Sequence, residues 1–133
     1  MYKKILLADD DQEDVELLQS FITEKSLSIQ LTIAQNGEKL IDLLSKMPRP
    51  DLILLDLHLP LKNGKQCLLE IRSNTEFNNI PIAIYSGSDN KAIIDFCMSN
   101  KANHYFVKPH TYSGFVELAQ GLGNGKLIDN YSN

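Results

Sequence analysis

Short runs of apolar residues alternate along the chain with stretches in which apolar residues recur every three or four positions. The strongest runs cover 5–8, 52–55 and 82–85, and each is apolar at consecutive positions. Strands that are apolar on both faces are typical of a parallel sheet buried between helices. The runs at 31–34 and 105–107 are weaker, so we expect these two strands to lie nearer the sheet edges.

The segments between the strands carry the spacing of amphipathic helices. Five apolar faces follow this spacing. They consist of Val15, Leu17, Leu18, Phe21 and Ile22; Leu40, Ile41, Leu44 and Met47; Cys67, Leu68 and Ile71; Ile93, Ile94 and Cys97; and Phe115, Leu118, Ala119 and Leu122. The order is therefore strand then helix, five times. This order predicts an α/β fold with five helices covering both faces of a parallel sheet.

The length of 133 residues predicts a single domain. The apolar periodicity ends at Leu122, so we place the domain at residues 1–122. The remaining residues, 123–133, are rich in Gly and Asn, and we expect them to form a frayed C-terminal tail.

Charge and composition exclude several classes of function. The net charge is −4, and the longest basic run is the pair Lys3 and Lys4, so we expect no nucleic-acid partner. No apolar stretch approaches the roughly 20 residues of a membrane span, so we expect no membrane partner. Cys67 and Cys97 lie in apolar helical patterns, which predicts buried hydrophobic side chains rather than a disulfide or metal site. We therefore expect a cytoplasmic, reducing location.

Polar groups that carry chemistry follow the predicted strands. In an open parallel sheet, ligands bind at the carboxyl ends of the strands. An acidic triplet, 9–11, follows the first strand, and Asp56 follows the third. Ser86 ends the fourth strand and Lys108 follows the fifth. We expect acids, a hydroxyl and an amine to meet at one edge of the sheet.

Several carboxylates in a partly buried cleft repel one another unless positive charge compensates them. Lys108 offers one charge, and a hard divalent ion such as Mg²⁺ offers two more. A carboxylate left partly free of the ion can act as a nucleophile towards a phosphoryl group. The ion, the lysine and the serine hydroxyl would then stabilise the phosphoryl oxygens. A simpler explanation applies to part of the triplet, because Asp10 or Asp11 could be the N-cap of the next helix.

The motifs at these strand ends resemble those of response-regulator receiver domains, over residues 3 to about 122. The matching segments are Ile-Leu-Leu-Ala-Asp-Asp at 5–10, Leu-Leu-Asp-Leu-His-Leu-Pro at 54–60 with Asn63 and Gly64, Ser86 with Gly87, and Tyr-Phe-Val-Lys-Pro at 105–109. The resemblance implies the doubly wound, flavodoxin-like or CheY-like fold with strand order 2-1-3-4-5. It also implies a response regulator of a two-component phosphorelay.

The resemblance further implies roles for the acidic residues. Asp56 would accept the phosphoryl group and also bind Mg²⁺. Asp10 would be a direct ligand of the ion, and Asp9 would bind it through water. The backbone carbonyl of His58 would be a further ligand.

Three more residues receive roles in the same way. Lys108 would contact the phosphoryl group. The resemblance also leads us to expect a cis peptide bond between Lys108 and Pro109. Ser86 and Tyr105 would be the switch pair that reports phosphorylation to the surface. A serine in place of the commoner threonine keeps the hydroxyl group.

The resemblance implies a sensor histidine kinase or a phosphotransfer protein as the phosphoryl donor. Output would pass through the fourth helix, fifth strand and fifth helix to a downstream protein or a second copy in a homodimer. The fourth helix is apolar over a wide arc, from Ala92 to Met98. Either part of this surface is exposed for an interface, or the helix is buried more deeply than usual. Within the family, the chain resembles stand-alone regulators that are paired with phytochrome-type histidine kinases.

Two other functions stay open. An aspartyl-phosphate phosphatase typically has Asp-x-Asp after its first strand, whereas here the second neighbour of Asp56 is His58. A phosphorylation-independent receiver would be a binding module that kept only the fold, and the retained acids, Ser86 and Lys108 argue against it. We therefore expect a phosphoacceptor signalling domain, with no enzyme activity beyond its own phosphorylation and dephosphorylation.

Overall fold

The chain folds into a five-stranded parallel sheet with helices on both faces. The computed structural model describes residues 2–127 and 129–130. The strands are β1 (Lys4–Ala8), β2 (Gln30–Ala34), β3 (Leu52–Leu55), β4 (Ile82–Ser86) and β5 (His104–Val107). The helices are α1 (Gln12–Glu24), α2 (Gly37–Lys46), α3 (Gly64–Ser73), α4 (Lys91–Ser99) and α5 (Tyr112–Asn124). The predicted fivefold alternation of strand and helix is confirmed.

The strands lie in the order β2-β1-β3-β4-β5, and all neighbours are parallel. This confirms the predicted order and places the two weaker strands, β2 and β5, at the edges. The register aligns Ala8 with Leu55, the last residues of β1 and β3. Because these two strands are neighbours, the acids that follow them emerge side by side.

Each face of the sheet has its own hydrophobic core. Helices α2, α3 and α4 cover one face, and α1 and α5 cover the other. β3 and β4 are buried along their whole length, in keeping with their continuous apolar sequences. Cys67 and Cys97 are both buried and unpaired within the first core, as predicted. Among the described residues, no helix is long and apolar enough to cross a membrane.

Polar side chains begin all five helices. The N-caps are Asp11, Asn36, Asn63, Asn90 and Thr111, and each accepts hydrogen bonds from backbone N–H groups of its helix. These are the residue types that satisfy the free N–H groups of a first turn. The caps therefore stabilise the first turn of each helix and mark where it starts.

Replacing Asp11 with Ala is expected to lower the free energy of unfolding by about 1 kcal/mol. The Asp11 carboxylate accepts from the N–H groups of Glu13 and Asp14, at 3.0 and 3.3 Å. Denaturant unfolding of the variant measures the loss. Asp11→Asn is the matched control, since an amide oxygen caps a helix equally well. Equal losses in both variants would contradict a capping role.

The C-terminal residues differ from the expected frayed tail. Gly123 and Asn124 complete α5, and Gly125 ends it in a left-handed conformation with φ of 72°. Leu127 is buried in the core beneath α1 and α5. The composition is typical of a loop, but one apolar side chain anchors it to the domain. Residues 128 and 131–133 of the predicted tail lie outside the described residues.

Asp129 and Asn130, the C-terminal clasp, hold the outer edge of β5. The Asp129 carboxylate accepts from the backbone N–H of Tyr105 at 3.2 Å. The Asn130 amide oxygen accepts from the N–H of Val107 at 2.8 Å, and its nitrogen donates to the carbonyl of Val107 at 3.0 Å. The clasp thus satisfies backbone groups that an edge strand would otherwise expose.

Candidate functional site

Three carboxylates converge at the carboxyl ends of β1 and β3. Asp9, Asp10 and Asp56 each present an oxygen, and these oxygens all lie within 4.8 Å of one another. Asp9 and Asp56 are buried, whereas Asp10 is exposed. Asp11 points elsewhere, since its side chain caps α1. Of the acidic triplet, the structure therefore brings two members to Asp56 and uses the third to start a helix.

The ammonium group of Lys108 enters this acidic cluster from β5. Its Nζ lies 2.9 Å from Oδ2 of Asp56 and 3.2 Å from Oδ2 of Asp9. It also lies 2.8 Å from Oδ2 of Asp14, an acid that we did not predict to take part. Burial lowers the pKa of Lys108, but its hydrogen bonds to Asp14 and Asp56 outweigh that effect, so the pKa is raised overall. The lysine therefore stays charged.

Asp9 has the opposite balance. Burial raises its pKa to about 7, against the opposing effects of the Asp11 N–H group and of Lys108. Because Lys108 is shared with Asp14 and Asp56, its effect on the pKa of Asp9 is smaller than the effect of burial. The charge of Asp56 raises the pKa of Asp9 further. If all three carboxylates of the cluster are ionised, their charge exceeds the single positive charge of Lys108.

The loop after β3 fixes Asp56. The backbone N–H of His58 donates to Oδ1 of Asp56 at 3.0 Å, while Lys108 holds Oδ2. The side chain of His58 is exposed, and the role of its carbonyl as a metal ligand stays a prediction. Gly64 closes the loop, because a Cβ there would lie 2.3 Å from the carbonyl oxygen of Asp56. Only glycine permits this approach.

Ser86 and Tyr105 form a buried pair next along the sheet. Tyr105 is fully buried, and its hydroxyl donates to the carbonyl of Ser88 at 2.8 Å. It also shares a hydrogen bond with the Ser86 side chain, and burial raises the pKa of Tyr105. The Ser86 hydroxyl in turn accepts from the N–H of Ser88 at 3.2 Å. The predicted switch residues are therefore in direct contact.

The peptide bond from Lys108 to Pro109 is trans, and the expectation of a cis bond is wrong. The trans form of a bond to proline is favoured by about 0.5–1 kcal/mol. Here the backbone also continues the pairing with β4, since the N–H of Lys108 donates to the carbonyl of Ser86 at 2.7 Å. The ammonium group of Lys108 therefore reaches Asp9 and Asp56 with a trans peptide bond to Pro109.

The apolar surface of α4 is divided between core and solvent. Ile94 and Cys97 are buried, while Ile93, Phe96 and Met98 pack against the core and stay partly exposed. A groove opens between this helix and the acidic edge. Its lining consists of Asp10, Leu57, His58, Leu59, Pro60, Asn63, Lys65 and Ile93. This groove gives another molecule access to the side of the acidic cluster.

Comparison with known proteins agrees with this arrangement. The family described as response regulator receiver domain matches residues 5–120. Response regulator Rcp1 of Synechocystis sp. is 30% identical over 126 residues, which cover 90% of this chain and 86% of Rcp1. The C4-dicarboxylate response regulator DctR of Bacillus subtilis, described as probable, is 35% identical over 107 residues, which cover 80% of this chain. The match spans only 46% of DctR's length.

Solved structures show the same relation. The Mn²⁺-bound form of Rcp1 has a TM-score of 0.82 at 30% identity, covering 90% of this chain and 91% of its own. The phosphorylated cyanobacterial phytochrome response regulator RcpA has a TM-score of 0.84 at 30% identity, covering 92% and 91%. The chain therefore belongs to the response regulator receiver domain family, and it is a receiver domain of two-component signalling.

Proposed function

We propose that this receiver domain accepts a phosphoryl group on Asp56, with Mg²⁺ held by Asp9, Asp10 and Asp56. The observation that carries the proposal is the convergence of the three carboxylates within 4.8 Å, with the ammonium of Lys108 at 2.9 Å from Asp56. The donor is a sensor histidine kinase or a phosphotransfer protein. Asp56 suits the acceptor role, since it follows the central strand β3 and its two oxygens are held by the N–H of His58 and by Lys108.

The donor set fits a hard divalent cation. It consists of carboxylate oxygens, which Mg²⁺ and Mn²⁺ both accept, and the charge of three ionised carboxylates would exceed the single charge of Lys108. The related Rcp1 has been solved with Mn²⁺. In this chain Asp10 would bind the ion directly, Asp9 through water, and His58 through its backbone carbonyl. Held by these groups, an ion would supply positive charge that offsets the carboxylates and stabilises phosphoryl oxygens.

The protein groups around Asp56 prepare it for attack. An oxygen of Asp56 forms a bond to phosphorus as the bond from phosphorus to the donor's nitrogen breaks. The N–H of His58 fixes the carboxylate plane, and Lys108 provides positive charge on the other oxygen. After transfer, Lys108 and the hydroxyl of Ser86 bind the phosphoryl oxygens.

The switch follows from the contact between Ser86 and Tyr105. A hydroxyl that turns towards a phosphoryl group changes its hydrogen bonds to Tyr105 and Ser88. This change reaches the face formed by α4, β5 and α5, which would bind a downstream protein or a second copy of the chain. The domain acts in the cytoplasm as a signalling switch, without turnover of outside substrates.

Incubation with acetyl phosphate tests the proposal. We expect one phosphoryl adduct by intact mass when Mg²⁺ is present, and none when EDTA removes the ion. An unmodified chain in the presence of Mg²⁺ would favour the phosphorylation-independent binding module. Steady release of phosphate from small monoesters would favour the phosphatase. Either result would contradict the proposed function.

A further inference from the structure

Lys108 has one more acidic partner than the proposed chemistry uses. Asp14 makes the shortest of its three ion pairs, at 2.8 Å, compared with 2.9 Å to Asp56 and 3.2 Å to Asp9. Asp14 lies in the first turn of α1 and is not among the three acids that converge on a common point. Asp14 therefore pairs with the lysine but does not belong to the group of acids that would hold the ion.

Asp14 contacts the Lys108 ammonium group from the side of α1. The Asp14 side chain is 27% exposed and that of Lys108 18%, so water shields this ion pair only in part. The ring of Tyr85 lies 5.2 Å from the Lys108 Nζ and closes another side. The ammonium group thus lies between three carboxylates and an aromatic ring.

A divalent ion and the lysine would share two carboxylates, those of Asp9 and Asp56. Both Asp9 and Asp56 bond to Lys108 through Oδ2, and both would contribute oxygens to an ion in the cluster. Two cations so close together repel each other strongly in a partly buried cleft. An ion beside these carboxylates would therefore favour a position of the ammonium farther from Asp9 and Asp56.

We propose that Asp14 is a positioning residue, an alternative anchor that retains the Lys108 ammonium beside the cluster when a divalent ion takes over Asp9 and Asp56. This inference rests on the proposed function, because it assumes an ion at those acids. Asp14 lowers the cost of displacing the lysine and keeps its charge within reach of the phosphoryl group. It acts through Lys108 and does not itself touch the ion or the phosphoryl group.

A double-mutant cycle tests this role. Affinity for Mn²⁺, and for Mg²⁺ by competition, is measured by electron paramagnetic resonance in wild type, Asp14→Asn, Lys108→Met and the double variant. We expect Asp14→Asn to weaken ion binding about tenfold when Lys108 is present, and less than about twofold when it is absent. Only an effect transmitted through the lysine disappears when the lysine is removed.

Asp11→Asn provides a matched control. It removes a negative charge from the same helix terminus, preserves the N-cap and leaves the three partners of Lys108 in place. We expect it to change ion affinity less than about twofold. A loss as large as that of Asp14→Asn would show a general effect of charge and overturn the inference.

The remaining outcomes separate the two proposals. Equal weakening by Asp14→Asn with and without Lys108, or no weakening at all, would overturn the role of Asp14 alone. A wild-type protein that binds neither ion would overturn the proposed function, and the inference with it. An effect that depends on Lys108 would support both.

Discussion

Replacing Asp56 with Asn is expected to abolish the phosphoryl adduct that acetyl phosphate forms in the presence of Mg²⁺. The amide is uncharged and far less nucleophilic than the carboxylate, so no stable bond to phosphorus forms. The amide oxygen still accepts from the N–H of His58, so the loop after β3 keeps its contact. The loss is therefore chemical rather than a consequence of unfolding. Intact mass spectrometry measures it directly.

The Asp11→Asn variant is the control for that experiment. It removes one nearby acid that caps a helix and does not belong to the cluster. We expect it to be phosphorylated as fully as wild type. An adduct of normal size in Asp56→Asn would place the acceptor on another residue, and the proposed role of Asp56 would be wrong.

Replacing Gly37 with Ala is expected to lower the free energy of unfolding by about 3 kcal/mol, at the upper end of the usual cost of overpacking. A Cβ at this position would lie 1.8 Å from the carbonyl oxygen of Lys62 and 2.8 Å from the sulfur of Cys67. The first contact is with backbone, which cannot rotate away. The start of α2 and the loop after β3 would have to separate. Denaturant unfolding of the two proteins measures the cost.

Gly87→Ala is the matched control, because a Cβ there meets nothing within 4 Å. We expect its free energy of unfolding to stay within about 1 kcal/mol of wild type. If both glycine variants were equally stable, the close approach of α2 to the loop would not matter for folding. A loss confined to Gly37→Ala would identify this contact as a support of the loop that holds Asp56.

The parallel sheet and its edge strands could be predicted because the strands differ in how continuously apolar they are, whereas the full strand order came from the resemblance to receiver domains. The runs at 52–55 and 82–85 are apolar at every position, and they became the central strands β3 and β4. The weaker runs became the edge strands β2 and β5. The acids at the ends of β1 and β3 then met, as the rule for parallel sheets requires.

The part played by Asp14 could not be predicted from strand ends. It lies within α1, and its contact with Lys108 depends on how the helix leaves the sheet after Asp11 caps it. The available signal was its place three residues after a cap, where an acid is also explained by the helix dipole. Because the helix dipole already accounts for an acid at this position, nothing in the sequence separately indicated the contact of Asp14 with Lys108.

The C-terminal residues were misjudged for a different reason. Gly and Asn usually indicate loops, and composition does not reveal that an Asn side chain can take the place of a neighbouring strand. Asn130 does so by pairing with both backbone groups of Val107. Leu127 gave a weak signal as a lone apolar residue beyond the last helix.

The C-terminal clasp has a practical consequence for handling the protein. A shortened version stopping at residue 122, where the apolar periodicity ends, would uncover the outer N–H groups of Tyr105 and Val107. An exposed edge strand with free N–H groups can pair with strands of other chains, so we expect the shortened protein to aggregate during purification. Affinity tags and reporter fusions should therefore be joined beyond Asn130.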